Sequence, residues 1–160
     1  MKKLLLVIDM QKGFINENTN FLIDKIRDLL NNDYFDKIAF TKFINYSDSY
    51  FVKKMNYKRC MDKNDCEIVI DTLDNKVLEK GKYSVFNDEF RDYIMENKIS
   101  EIYLAGVDTD ACVLSTAFDL FENGYDVYVL KDYCASSGGI SYHEAAISIL
   151  KRNIGEKQVI

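Results

Sequence analysis

The sequence predicts an α/β fold of three α-β-α layers around a mostly parallel central sheet. Three observations predict it. Strand-like and helix-like segments alternate from end to end. The strand segments are continuous apolar runs, the pattern of strands covered on both faces. Proline is absent and most of the seven glycines fall at junctions, so no linker, repeat or low-complexity tract divides the chain. With 160 residues and 48% apolar content, the reading is one domain spanning 1–160 with a real core.

The elements follow in order. Leu4–Ile8 is an uninterrupted apolar run, hence a buried strand. Residues 20–30 repeat apolar side chains at helical spacing through Phe21, Leu22, Ile26, Leu29 and Leu30. Lys37–Phe43 is the next strand, and Tyr46–Tyr57 is helical in part. Val77–Leu78 is a short strand entering Glu79-Lys80-Gly81. A helix over Asn87–Glu96 precedes the strand Glu101–Ala105. The helix Asp110–Phe121 stops at Asn123-Gly124, a C-terminal cap signal. Asp126–Leu130 is a strand. Ser141–Leu150 is a helix whose Ser141-Tyr-His-Glu144 start fits a capping box, and Gln158–Ile160 adds an edge strand. Such alternation gives a parallel sheet with helices on both faces.

Composition narrows the function. Net charge is -5 and the lysines are scattered, so no basic stripe marks a nucleic acid surface. The opening apolar run ends at Asp9, too short for a signal core or a membrane span, which points to a cytoplasmic chain without a membrane partner. Cys60, Cys66, Cys112 and Cys134 then read as reduced thiols. Cys60 and Cys66 lack the companions a zinc site needs.

In open α/β sheets ligands bind beyond the carboxyl ends of the strands. Asp9 ends the first strand, Lys80 lies just past a middle strand, and Cys112 follows the strand Glu101–Ala105 at the start of a helix. An acid, a cation and a thiol thus converge on one rim. The helix N-terminus and Lys80 favour thiolate over thiol, and Asp9 is placed to take the thiol proton. The sulfur can then attack a carbonyl carbon and expel an amine, with N–H groups of the turn Val107–Cys112 facing the oxyanion. Singly, each residue has a plainer reading: Asp9 as a turn cap, Lys80 as a solvated loop lysine, Cys112 as a small buried side chain.

Three segments add a resemblance. Asp9-Met-Gln-Lys-Gly-Phe14, Lys80-Gly-Lys-Tyr-Ser-Val-Phe86 and Gly106-Val-Asp-Thr-Asp-Ala-Cys-Val113 are similar to the D-x-Q-x-x-F, K-x-x-Y-S-x-F and G-x-x-T-D-x-C-V motifs of the isochorismatase-like cysteine hydrolases. That family includes nicotinamidases and N-carbamoyl amide hydrolases. The resemblance implies a Rossmann-like hydrolase fold and a catalytic triad of Asp9, Lys80 and Cys112. It also implies a cis peptide before Asp108 and an oxyanion site at the N–H groups of Asp108 and Cys112. Substrate contacts would fall at Phe14 and Val107. No cofactor follows from it. It further implies a small amide or carbamoyl substrate and a homo-oligomer, dimer or tetramer.

One departure is informative. Metal-binding nicotinamidases carry an Asp-x-His pair after the second strand, where this sequence has Phe43 and Asn45, and the only histidine is His143. The expected site therefore has no metal. His143 reads as a solvated or capping residue, and Cys134 as packing. Two other classes fit part of the pattern: a doubly wound phospho-acceptor domain, which would need more acids around Asp9, and a redox-active or catalytically silent homologue built on Cys112.

Overall fold

A computed structural model describes residues 2–160. The five strands are β1 (Lys2–Ile8), β2 (Lys37–Phe43), β3 (Lys76–Lys80), β4 (Ile99–Val107) and β5 (Asp126–Ala135). They form one all-parallel sheet in the order β3-β2-β1-β4-β5. The helices are α1 (Leu22–Leu30), α2 (Tyr50–Met55), α3 (Asp88–Asn97), α4 (Leu114–Glu122) and α5 (Ile140–Ile154).

The layers follow from the pleat. Alternate side chains of a strand face opposite ways. Leu4, Leu6 and Ile8 of β1 join Phe90 and Ile94 of α3, Ala117 and Leu120 of α4, and Leu150 and Ile154 of α5. Leu5 and Val7 face the other way, onto Leu22, Ile26 and Leu29 of α1. Leu4 to Ile8 are wholly buried, which is why this strand is apolar without a break. Each such side chain contributes up to about 1.5–3 kcal/mol through burial.

Several local expectations need correction. Lys80 is the last residue of β3 rather than a residue beyond it, and β3 lies at the sheet edge, not its middle. The segment read as one helix from Asp110 is a π-helical turn, Thr109–Val113, leading into α4. The capping box at Ser141 does not form. The chain enters α5 through Gly139 at φ 111°, so Ser141 already lies inside the first turn and is exposed. The edge strand at the C-terminus is a single parallel bridge, Val129 to Val159.

β5 is longer than its apolar run. Leu104 pairs with Val129, but two residues on Gly106 pairs with Cys134, so 130–133 bulge out of the ladder. The bulge absorbs the polar Lys131-Asp132-Tyr133 and returns the chain to the end of β4. The cap signal after α4 holds: Gly124 takes a positive φ there. Asn87, read as the first residue of its helix, instead caps α3, its side chain accepting from the Phe90 N–H at 2.9 Å.

Candidate active site

The site is built from the carboxyl ends of β1, β3 and β4. Asp9 follows β1 in the left-handed region at φ 46°, a conformation Asp tolerates better than most residues. This places its carboxylate under the turn after β4. Gly106, opposite Ile8, makes the approach possible. At φ 118°, a side chain there would put its Cβ 2.1 Å from the Ile8 carbonyl oxygen. Past Gly106, the Val107–Asp108 peptide is cis, and the π-turn carries Cys112 over the sheet end.

The three expected residues meet. Lys80 Nζ donates to Asp9 Oδ2 at 2.6 Å, to the Lys82 carbonyl at 3.0 Å, and to Cys112 Sγ at 3.4 Å. Asp9 is wholly buried, and Lys80 and Cys112 are nearly so. A buried acid with no partner would be costly. Here the other carboxylate oxygen, Oδ1, accepts from the Thr41 hydroxyl at 2.6 Å, and the same hydroxyl accepts from the Asp9 N–H at 3.1 Å. Asp9 is thus held by three hydrogen bonds to two side chains, Lys80 and Thr41.

Burial pushes the Cys112 thiol well above its ordinary range, and the Asp9 carboxylate adds to that while Lys80 pulls down. Burial and Asp9 thus oppose the thiolate that the helix start and the lysine favour. Burial alone would lower Lys80, but the adjacent Asp9 carboxylate and the hydrogen bonds to Asp9 and Cys112 raise it, and the ammonium is retained.

Two residues that sequence reading did not assign complete the frame. Thr41 is one. Gln11 is the other: its amide donates to the Phe43 and Cys66 carbonyls at 2.9 and 3.1 Å, and its oxygen accepts from the Phe43 N–H at 2.7 Å. Gln11 thereby ties the end of β1 to the end of β2. Its place in the D-x-Q pattern was the available signal. Thr41 gave none, because a threonine inside a strand is ordinary.

The turn is clamped from behind. The Asp108 carboxylate accepts from the Ser137 N–H at 2.7 Å and its hydroxyl at 2.8 Å. Burial raises the Asp108 carboxyl, against the opposing pull of those two bonds. Thr109 Oγ1 and His143 Nδ1 lie 2.8 Å apart. His143 is therefore a half-buried partner of the turn rather than a solvated or capping residue. Its imidazole is held below its usual range by burial, with Glu144, Asp132 and Asp110 pulling the other way. The N–H groups of Ala111 and Val113 both donate to the Asp108 carbonyl at 3.1 Å.

A cavity of about 130 Å³ opens above Cys112. Phe14, Phe43, Phe51, Met55, Tyr57 and Tyr83 wall it, and Asp108, Ala111 and Cys112 floor it. Phe14 is where the sequence reading put it. Val107 is not: its side chain is wholly buried on the α1 side of the sheet, because the last residue of β4 points into that layer. Cys134 is packed, with its sulfur 3.7 Å from the Leu104 carbonyl. Cys60 and Cys66 are free buried thiols.

The residues present do not fit a metal at the position the resemblance suggests. Phe43 has no donor atom. The Asn45 amide is spent on the Tyr57 and Arg59 carbonyls, and its oxygen on the Tyr46 N–H and Ser49 hydroxyl. Among the described residues, no group of three His, Cys, Asp or Glu side chains is placed to hold a metal ion. The acid cluster a phospho-acceptor domain needs is likewise missing there. Among the described residues, no helix is long and apolar enough to cross a membrane.

A five-stranded parallel sheet with a buried acid, ammonium and thiol at its carboxyl end defines a class of α/β proteins with a cysteine-centred pocket. Comparison narrows the class. A family model described as Isochorismatase domain matches residues 3–157, and the chain belongs to the isochorismatase family. Isochorismatase family protein 2A of Dictyostelium discoideum is 40% identical over 62 residues, which cover 38% of this chain and 31% of that relative. The chain thus spans about a third of the length of that curated relative. An isochorismatase-like hydrolase structure from Alkaliphilus metalliredigens superposes with a TM-score of 0.86 at 22% identity, covering 99% of this chain and 94% of that one. A pyrazinamidase of Pyrococcus horikoshii in complex with zinc gives 0.81 at 20% identity, covering 99% and 97%. These two likenesses are of fold.

Proposed function

We propose that this chain is a metal-independent cysteine hydrolase that cleaves the C–N bond of a small carboxamide or N-carbamoyl compound, with Asp9, Lys80 and Cys112 as its catalytic triad. The observation that carries the proposal is the position of Lys80 Nζ, bonded at once to Asp9 and Cys112.

The steps follow from the resting state. Substrate enters with its carbonyl carbon over Cys112. Asp9 takes the thiol proton as the sulfur bonds to that carbon, so charge moves to the carbonyl oxygen and does not accumulate on a buried thiolate. The N–H groups of Asp108 and Cys112 receive the oxyanion. The intermediate collapses, the C–N bond breaks, and the proton held by Asp9 leaves with the amine. A carboxamide leaves a thioester on Cys112; an N-carbamoyl compound leaves a thiocarbamate. Asp9 next takes a proton from water, which attacks the same carbon. The C–S bond breaks, the acid product departs, and Cys112 recovers its proton. Lys80 stays protonated throughout, offsetting the negative charge as it passes between sulfur and carboxylate.

Ammonia release over a panel of amides and ureides tests the proposal. Wild type should release ammonia from at least one member, and Cys112→Ala should lose at least about 10³-fold. Equal rates in the two proteins would end it.

A further inference from the structure

We propose that this pocket selects small uncharged apolar amides and excludes anionic ones, because an aromatic box stands where carboxylate or metal recognition would have to be built. The proposal deepens the amidohydrolase reading and rests on it for the word amide, but the selectivity itself rests on the walls.

The walls form a connected aromatic set. Phe14 and Phe43 have ring centres 6.1 Å apart, and Phe43 meets Phe51 edge-on at 5.2 Å. Phe51 in turn meets Tyr83 edge-on at 5.0 Å. Edge-to-face rings fix one another's orientation, so the box offers mostly ring faces and edges, with the Tyr57 and Tyr83 hydroxyls as its side-chain donors. Met55 closes one side with a thioether, which accepts only weakly.

No lysine or arginine is among the described residues that line the cavity. The Lys80 ammonium donates to Asp9, Cys112 and the Lys82 carbonyl, which uses its three protons. Lys82 itself is exposed. Arg59, next in line after Tyr57 and Lys58, faces Asp65 at 3.9 Å. Asp108 is the charged residue among the described residues that line the cavity, and its carboxylate is turned to the Ser137 N–H and hydroxyl. A substrate carboxylate would therefore lose its water and meet no cation on the walls, with only neutral phenol hydroxyls to bond it. An apolar acyl group would lose nothing and gain the ring faces.

Aldehydes test this without turnover. An aldehyde adds to Cys112 reversibly: the C–S bond forms, the carbonyl π-bond breaks, and the thiol proton ends on oxygen. 4-Isopropylbenzaldehyde and 4-formylbenzoate share heavy-atom count and branching but differ in charge. Each is titrated against iodoacetamide labelling of Cys112 in the full chain at neutral pH, read by peptide mass. The isopropyl compound should half-protect Cys112 at a concentration at least thirtyfold lower than the carboxylate. A ratio below thirty, or protection by neither at millimolar concentration, overturns the inference. The matching amides, 4-isopropylbenzamide and 4-carbamoylbenzoate, are assayed in parallel for ammonia. Hydrolysis of neither with the aldehyde ratio intact would sink the hydrolase reading and leave the pocket inference standing.

Discussion

Thr41→Val changes one hydroxyl to a methyl of similar size at the base of the site. Thr41 is 1% exposed, so water does not replace what is lost. Its hydroxyl gives Asp9 Oδ1 a 2.6 Å bond and takes a 3.1 Å bond from the Asp9 N–H. A hydrogen bond to a charged group is worth about 1.5–3 kcal/mol, and a buried donor left without a partner costs about 1–3 kcal/mol. Valine should therefore cost about 3 kcal/mol. Serine keeps both bonds and loses one methyl, about 0.8 kcal/mol. In urea unfolding, with a slope of about 1–3 kcal/mol per molar, the valine midpoint should fall by about 1–3 M and the serine midpoint by about 0.3–0.8 M. Valine should also slow amide hydrolysis more than serine does, because Asp9 is no longer aimed. If the two variants unfold at the same midpoint, the hydroxyl is not holding Asp9 and the account of this site is wrong.

Other outcomes follow from the same geometry. Lys80→Met removes the one group that pulls the Cys112 thiol down, so alkylation of Cys112 at pH 7 should slow by about tenfold or more, one 1.4 kcal/mol step in equilibrium terms; unchanged alkylation would show that Lys80 does not tune the sulfur. The same variant leaves the Asp9 carboxylate buried without its cation and should lose about 3–5 kcal/mol in denaturant titration. Gly106→Ala should destabilise by about 2–4 kcal/mol, since its Cβ would collide with Ile8 at a backbone angle alanine avoids. Burial lowers His143 in the folded state, so below about pH 6.5 the unfolded chain binds the extra proton. Stability should therefore fall as pH drops from about 6.5 through the lowered folded value, and His143→Gln should flatten that part of the stability–pH curve.

Much of the fold could be read directly, and for a physical reason. A strand covered on both faces must be apolar at every position, so β1 announced itself, and Asp9 stood out as the residue that ended it. Lys80 and Cys112 followed from the rule that ligands meet strand ends. What could not be read depends on chain segments far apart. The bulge in β5 exists because 134–137 must return to Asp108, a requirement invisible in Lys131-Asp132-Tyr133. The capping box at Ser141 failed because Gly138-Gly139 set where the helix begins. The burial that opposes a thiolate at Cys112 could not be read, because local helix chemistry favours thiolate whereas burial depends on everything packed above the turn. Val107 was misplaced by one face: adjacent strand residues point to opposite layers, and motif proximity says nothing about which.

The most direct test of the central claim is the intact mass of the chain quenched during hydrolysis of an accepted amide. The account predicts a fraction carrying the acyl group on Cys112, appearing with the first ammonia and absent from Asp9→Asn. Sustained hydrolysis by Cys112→Ala at the wild-type rate, with no adduct on the wild-type sulfur, would contradict it.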